Sequence, residues 1–165
     1  MPKPKLWARL ATLAAAAALV GADRWIKGRM SDAVTGRVLW PGVAGLRYTE
    51  NTGISFSFFG ESREAMLVVS ALTALVMLVG IAAVLLGRVG GAAPLCATAL
   101  ILAGGVGNLA DRLLHGFVVD YIELLFVRFA IFNFADVCIT CGVALFTGWL
   151  LWTESRRRKR VNAHG

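Results

Sequence analysis

The segment Ala103-Gly104-Gly105-Val106-Gly107-Asn108-Leu109-Ala110-Asp111-Arg112 ends an apolar run that is long enough to cross a bilayer. Its end carries glycines, an amide, a carboxylate and a guanidinium instead of apolar side chains. Hydrocarbon tolerates such polar groups only where they face protein or a wet cavity. Two further acids, Asp120 and Asp136, follow closely in the sequence. We therefore expect the rest of the chain to hold these groups at one membrane surface.

The composition is that of an integral membrane protein. The chain has 165 residues, of which 58% are hydrophobic and 16% are charged, and its mean hydropathy is +0.69. Soluble domains are about 45–50% apolar. The three cysteines all fall in apolar segments, and an odd number there predicts no disulfide framework. We expect one membrane domain over residues 1–165.

Four apolar runs predict four membrane-spanning helices, over about residues 7–26, 65–86, 92–113 and 132–153. The first run begins like a signal peptide, but it continues through Asp23 to Ile26 and further apolar runs follow, so we interpret it as a retained anchor. Segments 27–64 and 114–131 then lie outside the cytoplasm, and residues 154–165 form a basic cytoplasmic tail.

The distribution of positive charge predicts the orientation. The net charge is +7, and most of the excess lies in short segments at the termini and after the second run, at Lys3, Lys5, Arg9, Arg88 and residues 156–160. Such segments face the cytoplasm. Both termini are therefore expected there. A basic tail after an apolar run touches anionic lipid, and no basic folded surface indicates a nucleic-acid partner.

The two outer segments carry strand signals. Residues 46–49 alternate apolar and polar side chains, Trp40-Pro41-Gly42 marks a turn, and residues 117–122 are typical of a strand. The predicted fold class is an α-helical membrane protein of four transmembrane helices, with a small hairpin or curled sheet and an interfacial loop outside.

Three acids are expected at one level of one face: Asp111 at the end of the third helix, Asp120 in the outer loop and Asp136 in the first turn of the fourth helix. They could serve only as ion pairs and helix caps, although Asn133 could already cap the fourth helix. Two carboxylates held close together share a proton, so that one activates water and the other acts as the acid. That chemistry predicts acyl hydrolysis without a metal or cofactor.

Other chemistries fit the sequence less well. The only histidines, His115 and His164, make a Ser-His or metal-His site a poor fit. A Ser-Lys site using Lys27 is a weak alternative, because Ser55, Ser57 and Ser70 have no lysine partner at a plausible depth. Asp23 and Lys27 have the i, i+4 spacing of an intrahelical ion pair. Cys138 and Cys141 are interpreted as small packing residues.

Five motifs in order resemble those of lipoprotein signal peptidase (signal peptidase II), a family of bacterial membrane aspartyl proteases. They run from residue 23 to about 140 and are Asp23-Arg24-Trp25-Ile26-Lys27, Asn51-Thr52-Gly53-Ile54-Ser55-Phe56, Gly104-Gly105-Val106-Gly107-Asn108-Leu109-Ala110-Asp111-Arg112, Gly116-Phe117-Val118-Val119-Asp120-Tyr121-Ile122 and Phe132-Asn133-Phe134-Ala135-Asp136. The sequence departs from the family pattern at Ile54-Ser55, where a small pair is common, and at Tyr121, where Phe is found.

The resemblance implies that Asp120 and Asp136 are the catalytic pair, a choice that the residues alone leave open between Asp111 and Asp120. It implies supporting or substrate-binding roles for Asp23, Lys27, Asn51, Gly53, Gly105, Asn108, Asp111, Arg112, Asn133 and Ala135. It also implies a small β-cradle and a mobile helix over the site, and no cofactor.

The implied substrate is a diacylglyceryl-modified prolipoprotein, cut before its lipidated cysteine by a monomeric enzyme in the bacterial cytoplasmic (inner) membrane, among membrane lipid. Two other functions remain open. A proton-coupled transporter would use the acids as a relay, but would place them at several depths. A non-catalytic paralogue would keep the scaffold alone.

Overall fold

The computed structural model describes residues 3–52 and 63–162, which form four long helices and a three-stranded antiparallel sheet. In chain order the elements are α1 (Leu6–Lys27), β1 (Val38–Trp40), β2 (Ala44–Asn51), α2 (Arg63–Leu85), α3 (Ala92–His115), β3 (Val118–Leu124) and α4 (Phe134–Asn162), with a short 3₁₀ turn at Asp32–Val34. All four helices are long and apolar enough to cross a membrane. The predicted class of four helices with a small sheet is confirmed.

Helix α3 is the centre of the bundle. In its most apolar window 56% of the residues are buried within the protein, against 17% in each of the other helices. A small apolar cluster joins it to α1 and α2 through Ala16, Met77, Ala99 and Leu102. The outward faces of the other helices carry exposed leucines and valines, as expected where lipid replaces water.

The sheet has the strand order β1-β2-β3, and its third strand carries Asp120, one of the three predicted acids. Trp40 accepts a hydrogen bond from the amide of Val43, which closes the predicted hairpin between β1 and β2. Strand β3 pairs with β2 so that Asp120 lies opposite Thr49. The strand-like residues after α3 therefore complete the sheet, because β2 offers them a free edge.

A left-handed glycine connects α3 to this sheet. Gly116 follows the last residue of α3 with φ of 82°, and its amide donates to the carbonyl of Arg112. Side chains other than glycine rarely adopt this conformation. The glycine ends the helix and lets β3 begin two residues later, which fixes the separation of Asp111 and Asp120.

Helix α4 differs most from the expected span. It begins at Phe134 and continues to Asn162, so the basic residues 156–160, expected in a tail, belong to the helix. An ion pair between Arg158 and Glu154 and the position of Arg156 over the ring of Trp152 support this extension. The Ile54-Ser55 pair lies outside the described residues, as does part of the segment 27–64 in which the mobile helix is expected.

Helices α3 and α4 approach closely at Gly104. A methyl group there would overlap the backbone oxygen of Ala135 and the side chain of Ile139. Because Ala135 precedes Asp136, the glycine sets how closely the first turn of α4 lies against α3.

We predict that Gly104→Ala lowers the midpoint of thermal unfolding in detergent, since overpacking costs about 1–3 kcal/mol. The matched control is Gly148→Ala in α4, where a Cβ meets nothing within 4 Å. Its midpoint should stay the same or rise, because alanine is the better helix former. Equal midpoints for the two variants would contradict the close contact.

Candidate active site

The ends of three helices and the edge of the sheet bring most of the predicted residues together. Helix α1 contributes Asp23 and Lys27, α3 contributes residues 104–112, α4 begins just after Asn133, and β2 and β3 supply Asn51 and Asp120. Gly53 lies outside the described residues. The polar side chains form two connected groups, one around Asn133 and one around Lys27.

Asn133 and Asp136 cap the start of α4 reciprocally. The Oδ1 atom of Asn133 accepts a hydrogen bond from the backbone amide of Asp136 at 3.0 Å, and Oδ2 of Asp136 accepts one from the amide of Asn133 at 3.1 Å. This is the geometry of a capping box. The cap expected from the sequence at Asn133 is present, and Asp136 is part of it.

The same asparagine also contacts the other acid. Nδ2 of Asn133 donates to Oδ1 of Asp120 at 2.6 Å, and Nδ2 of Asn51 donates to Oδ2 of Asp120 at 2.9 Å. Asn133 is fully buried and Asp120 is 3% exposed. Asp120 and Asp136 are therefore linked through one buried residue that donates a hydrogen to each carboxylate.

Asp136 is the more accessible of the two acids. Its Oδ1 accepts a hydrogen bond from Nδ2 of Asn108 at 2.7 Å. The residue is partly exposed and lines a cavity of about 420 Å³ together with apolar side chains of α4 and of the loop before it. A substrate can therefore reach this carboxylate from the cavity.

The environment of Asp120 favours its protonated form. Burial raises the pKa of Asp120 to about 6, and the nearby charge of Asp136 acts in the same direction. The hydrogen bonds from Asn51 and Asn133 and the charge of Lys27 lower it. Desolvation outweighs these opposing contributions, as is typical of a carboxyl group in a site that excludes water.

Lys27 is the centre of the second group. Its Nζ atom lies 2.9 Å from Oδ2 of Asp23, 2.8 Å from Oδ2 of Asp111 and 2.9 Å from Oδ1 of Asn108. The ion pair predicted between Asp23 and Lys27 is confirmed. All these groups are buried, and Oδ1 of Asp23 also accepts the backbone amide of Ala135 at 3.2 Å. The group thus ties α1 to both α3 and α4.

Asp111 belongs to this second group and has two cationic neighbours. It forms ion pairs with Lys27 and with Arg24, and the amide of Val119 donates to it at 3.4 Å. The resemblance associates Asp111 with Arg112. In the described part of the chain, Arg112 donates a hydrogen bond to the carbonyl of Asn108 at 3.4 Å, and its charge interacts at longer range with Asp136, Asp120 and Asp111.

Two contributors were missed from the sequence. Arg24 lies between Asp23 and Lys27 in the first motif. Only its position about one helical turn before Lys27 could have suggested that both cations contact the same acid. The hydroxyl of Tyr121 accepts the amide of Phe134 at 3.2 Å, which a phenylalanine could not do. The tyrosine that replaces the family's phenylalanine at 121 therefore supplies a further hydrogen bond to the first turn of α4.

The small residues of the motifs make room for these contacts. A Cβ at Gly107 would lie 2.7 Å from Oδ2 of Asp23, and one at Gly105 would overlap Met77 of α2. Ala135 is buried against the same face of α3. No cluster of three or more His, Cys, Asp or Glu side chains suited to a metal occurs within residues 3–52 and 63–162.

Comparison with protein families and relatives gives a consistent result. A family model described as "Signal peptidase (SPase) II" matches residues 15–152. A lipoprotein signal peptidase of Streptococcus thermophilus is 34% identical over 140 residues, which cover 83% of this chain and 89% of that protein. One of Synechocystis is 34% identical over 130 residues, covering 79% and 76%.

Solved structures share the fold. A bacterial membrane enzyme determined by the in meso method at 2.3 Å has a TM-score of 0.78 at 24% identity, over 88% of this chain and 90% of that chain. A second, determined at 1.9 Å, has a TM-score of 0.71 at 25% identity, over 86% and 92%.

We predict that Asp111→Asn lowers stability by about 3–5 kcal/mol, because it leaves Arg24 and Lys27 with one anion fewer in a buried site. Unfolding in micelles measures the change. The control is Glu154→Gln, which removes an exposed ion pair with Arg158 and should leave the stability nearly unchanged. A stable, fully folded Asp111→Asn protein would show that this acid is not the structural one.

Proposed function

The chain belongs to the signal peptidase II family, and from that premise we propose that Asp120 and Asp136 are the acids with which it cleaves lipid-modified prolipoproteins before the lipidated cysteine. The family is one of aspartic endopeptidases. The observation that carries the assignment is Asn133, which donates a hydrogen bond to each of these two carboxylates.

The charges around the other acids support the same choice. Asp23 and Asp111 lie against Lys27, and Asp111 also lies against Arg24. Both carboxylates are buried and engaged by these cations, so they serve to hold the helix ends together. Asp120 and Asp136 receive hydrogen bonds from amides and form no ion pair within 4 Å in the described residues.

In the proposed reaction the pair begins with one shared proton. Asp136, the more exposed acid, is ionised and takes a proton from a water molecule as the water oxygen attacks the scissile carbonyl carbon. Asp120, whose burial favours the neutral form, donates its proton to the carbonyl oxygen. Collapse of the tetrahedral intermediate breaks the C–N bond, the proton on Asp136 passes to the leaving nitrogen, and a hydroxyl proton returns to Asp120.

The cavity beside Asp136 supports a substrate that stays in the bilayer. It is lined by apolar residues, including Phe129 and Ile131 of the loop and the exposed Val137 and Cys141 of α4. A lipid-anchored peptide would bring its cleavage site to this surface without leaving the membrane, and such confinement lowers the entropy cost of the encounter.

The proposed setting is the bacterial cytoplasmic membrane, with both termini in the cytoplasm and the chain acting as a monomer. Its support is the grouping of Lys and Arg near the termini, together with Arg88 in the turn between α2 and α3. Trp152 lies near the basic end of α4, is exposed and has Arg156 over its ring, which is the character of a membrane-interface anchor.

The test is cleavage of a diacylglyceryl prolipoprotein peptide in detergent micelles. Asp120→Asn and Asp136→Asn should each lower kcat by at least about 10²–10⁴-fold, the contribution of a positioned acid or base. Asp32→Asn, an exposed acid near the sheet, is the control and should cleave normally. Cleavage retained by either variant of the pair would remove the assignment, and a folded wild-type protein that fails to cleave would indicate a non-catalytic paralogue.

The pH profile gives a second prediction. Because the pKa of Asp120 is about 6, the shared proton is retained below that pH and lost above it, so kcat/KM should fall as the pH rises through about 6. The hydrogen bond from Asn51 lowers this pKa, so Asn51→Ala should move the falling limb to higher pH. Tyr48→Phe, on the same strand, should leave the profile unchanged, whereas a shift to lower pH in Asn51→Ala would contradict the assignment.

A further inference from the structure

Lys27 does more than neutralise buried acids. Resting on the proposed catalytic role of Asp136, we propose that Lys27 is a positioning residue that sets the orientation of the Asn108 amide, so that Asp136 receives an N–H and not a carbonyl oxygen. The lysine thereby acts on the reaction through one hydrogen-bonded side chain.

The ammonium group determines which end of the amide it meets. An ammonium has three hydrogens to donate and accepts none, and Nζ of Lys27 has three oxygen partners within 2.9 Å. Lys27 is only 5% exposed, so water offers no substitute. Oδ1 of Asn108 must therefore face Lys27, which turns Nδ2 toward Oδ1 of Asp136.

The opposite orientation would fail at both ends. A flipped Asn108 would present its NH₂ group to the ammonium, placing donor against donor, and its oxygen to the carboxylate of Asp136, placing acceptor against acceptor. Leaving a buried charged group without its hydrogen bond costs more than leaving a neutral one. The charge on Lys27 makes the observed orientation the stable one.

Asn133 takes part in the same arrangement. Its orientation is fixed independently, because its Oδ1 accepts the backbone amide of Asp136, which can only donate. Its Nδ2 therefore points to Asp120 and also to Oδ1 of Asn108, at 2.6 and 3.2 Å. Lys27 and Asn133 thus both present donors to the Asn108 oxygen. The contact from Lys27 is charged and shorter, at 2.9 Å against 3.2 Å, so without Lys27 only the weaker constraint on the amide remains.

A charge-balanced variant allows Lys27 to be removed from a folded protein. In Lys27→Met with Asp23→Asn, one cation and one anion are lost together. Asp111 keeps Arg24 and the amide of Val119, the Asn108 oxygen keeps Asn133, and an asparagine at 23 can still accept the amide of Ala135. The matched control replaces another i, i+4 pair in the same way, Glu154→Gln with Arg158→Met.

The experiment is a mutant cycle on prolipoprotein-peptide cleavage that combines the Lys27/Asp23 variant with Asn108→Ala. Each should lower kcat by about 10- to 100-fold, the loss typical of slight misplacement of a reacting group, while KM stays nearly constant. If Lys27 acts through the amide, the combined variant should be no slower than Asn108→Ala alone. The control pair should cleave at the wild-type rate.

Three results would overturn the proposal: wild-type kcat in the folded Lys27/Asp23 variant, a loss confined to KM, or losses that multiply in the combined variant. If the Lys27/Asp23 variant fails to fold, Asn108→Asp provides the test. An aspartate at 108 keeps an oxygen facing Lys27 but presents a second oxygen, in place of the N–H, to Asp136. It should lose cleavage, and wild-type kcat would overturn the proposal. Asp136→Asn is assayed in parallel. If that variant still cleaves the peptide, the proposed function itself is wrong, and the inference that rests on it is wrong as well.

Discussion

The buried contact of Lys27 with Asp23, Asp111 and Asn108 is the interaction on which the rest of the site depends. A lysine inside a bilayer protein needs anionic or polar partners, and here three oxygens from α1 and α3 lie within 2.9 Å of its Nζ atom. Through Asp23, the same cluster reaches the first turn of α4 at Ala135. Three helix ends are thereby held at the separation that the carboxylates require.

The four acids of the site divide into two kinds by their neighbours. Asp23 and Asp111 form ion pairs with Lys27, and Asp111 also with Arg24, whereas Asp120 and Asp136 accept hydrogen bonds from amides and have Arg112 only at longer range. An amide orients a carboxylate without cancelling its charge, which suits the role proposed for the second pair. A single fold thus uses the same side-chain chemistry for support and for reactivity.

Much of this arrangement follows from the sequence. Hydropathy alone locates the four helices, and alternation locates the hairpin, because burial in lipid and pairing in a sheet leave regular patterns. The sequence could not separate Asp111 from Asp120, since both lie near the outer end of α3, one inside the helix and one just beyond it, and only the folded chain brings Arg24 to one of them. The basic end of α4 was expected as a tail because positive charge marks topology and says little about whether a helix continues.

The reciprocal cap at the start of α4 gives the proposed base a second duty. The carboxylate of Asp136 that would activate water also closes the first turn of its own helix with Asn133. A substitution of this side chain would therefore remove the helix cap together with the proposed base, so that the stability of the first turn and the proposed chemistry change together.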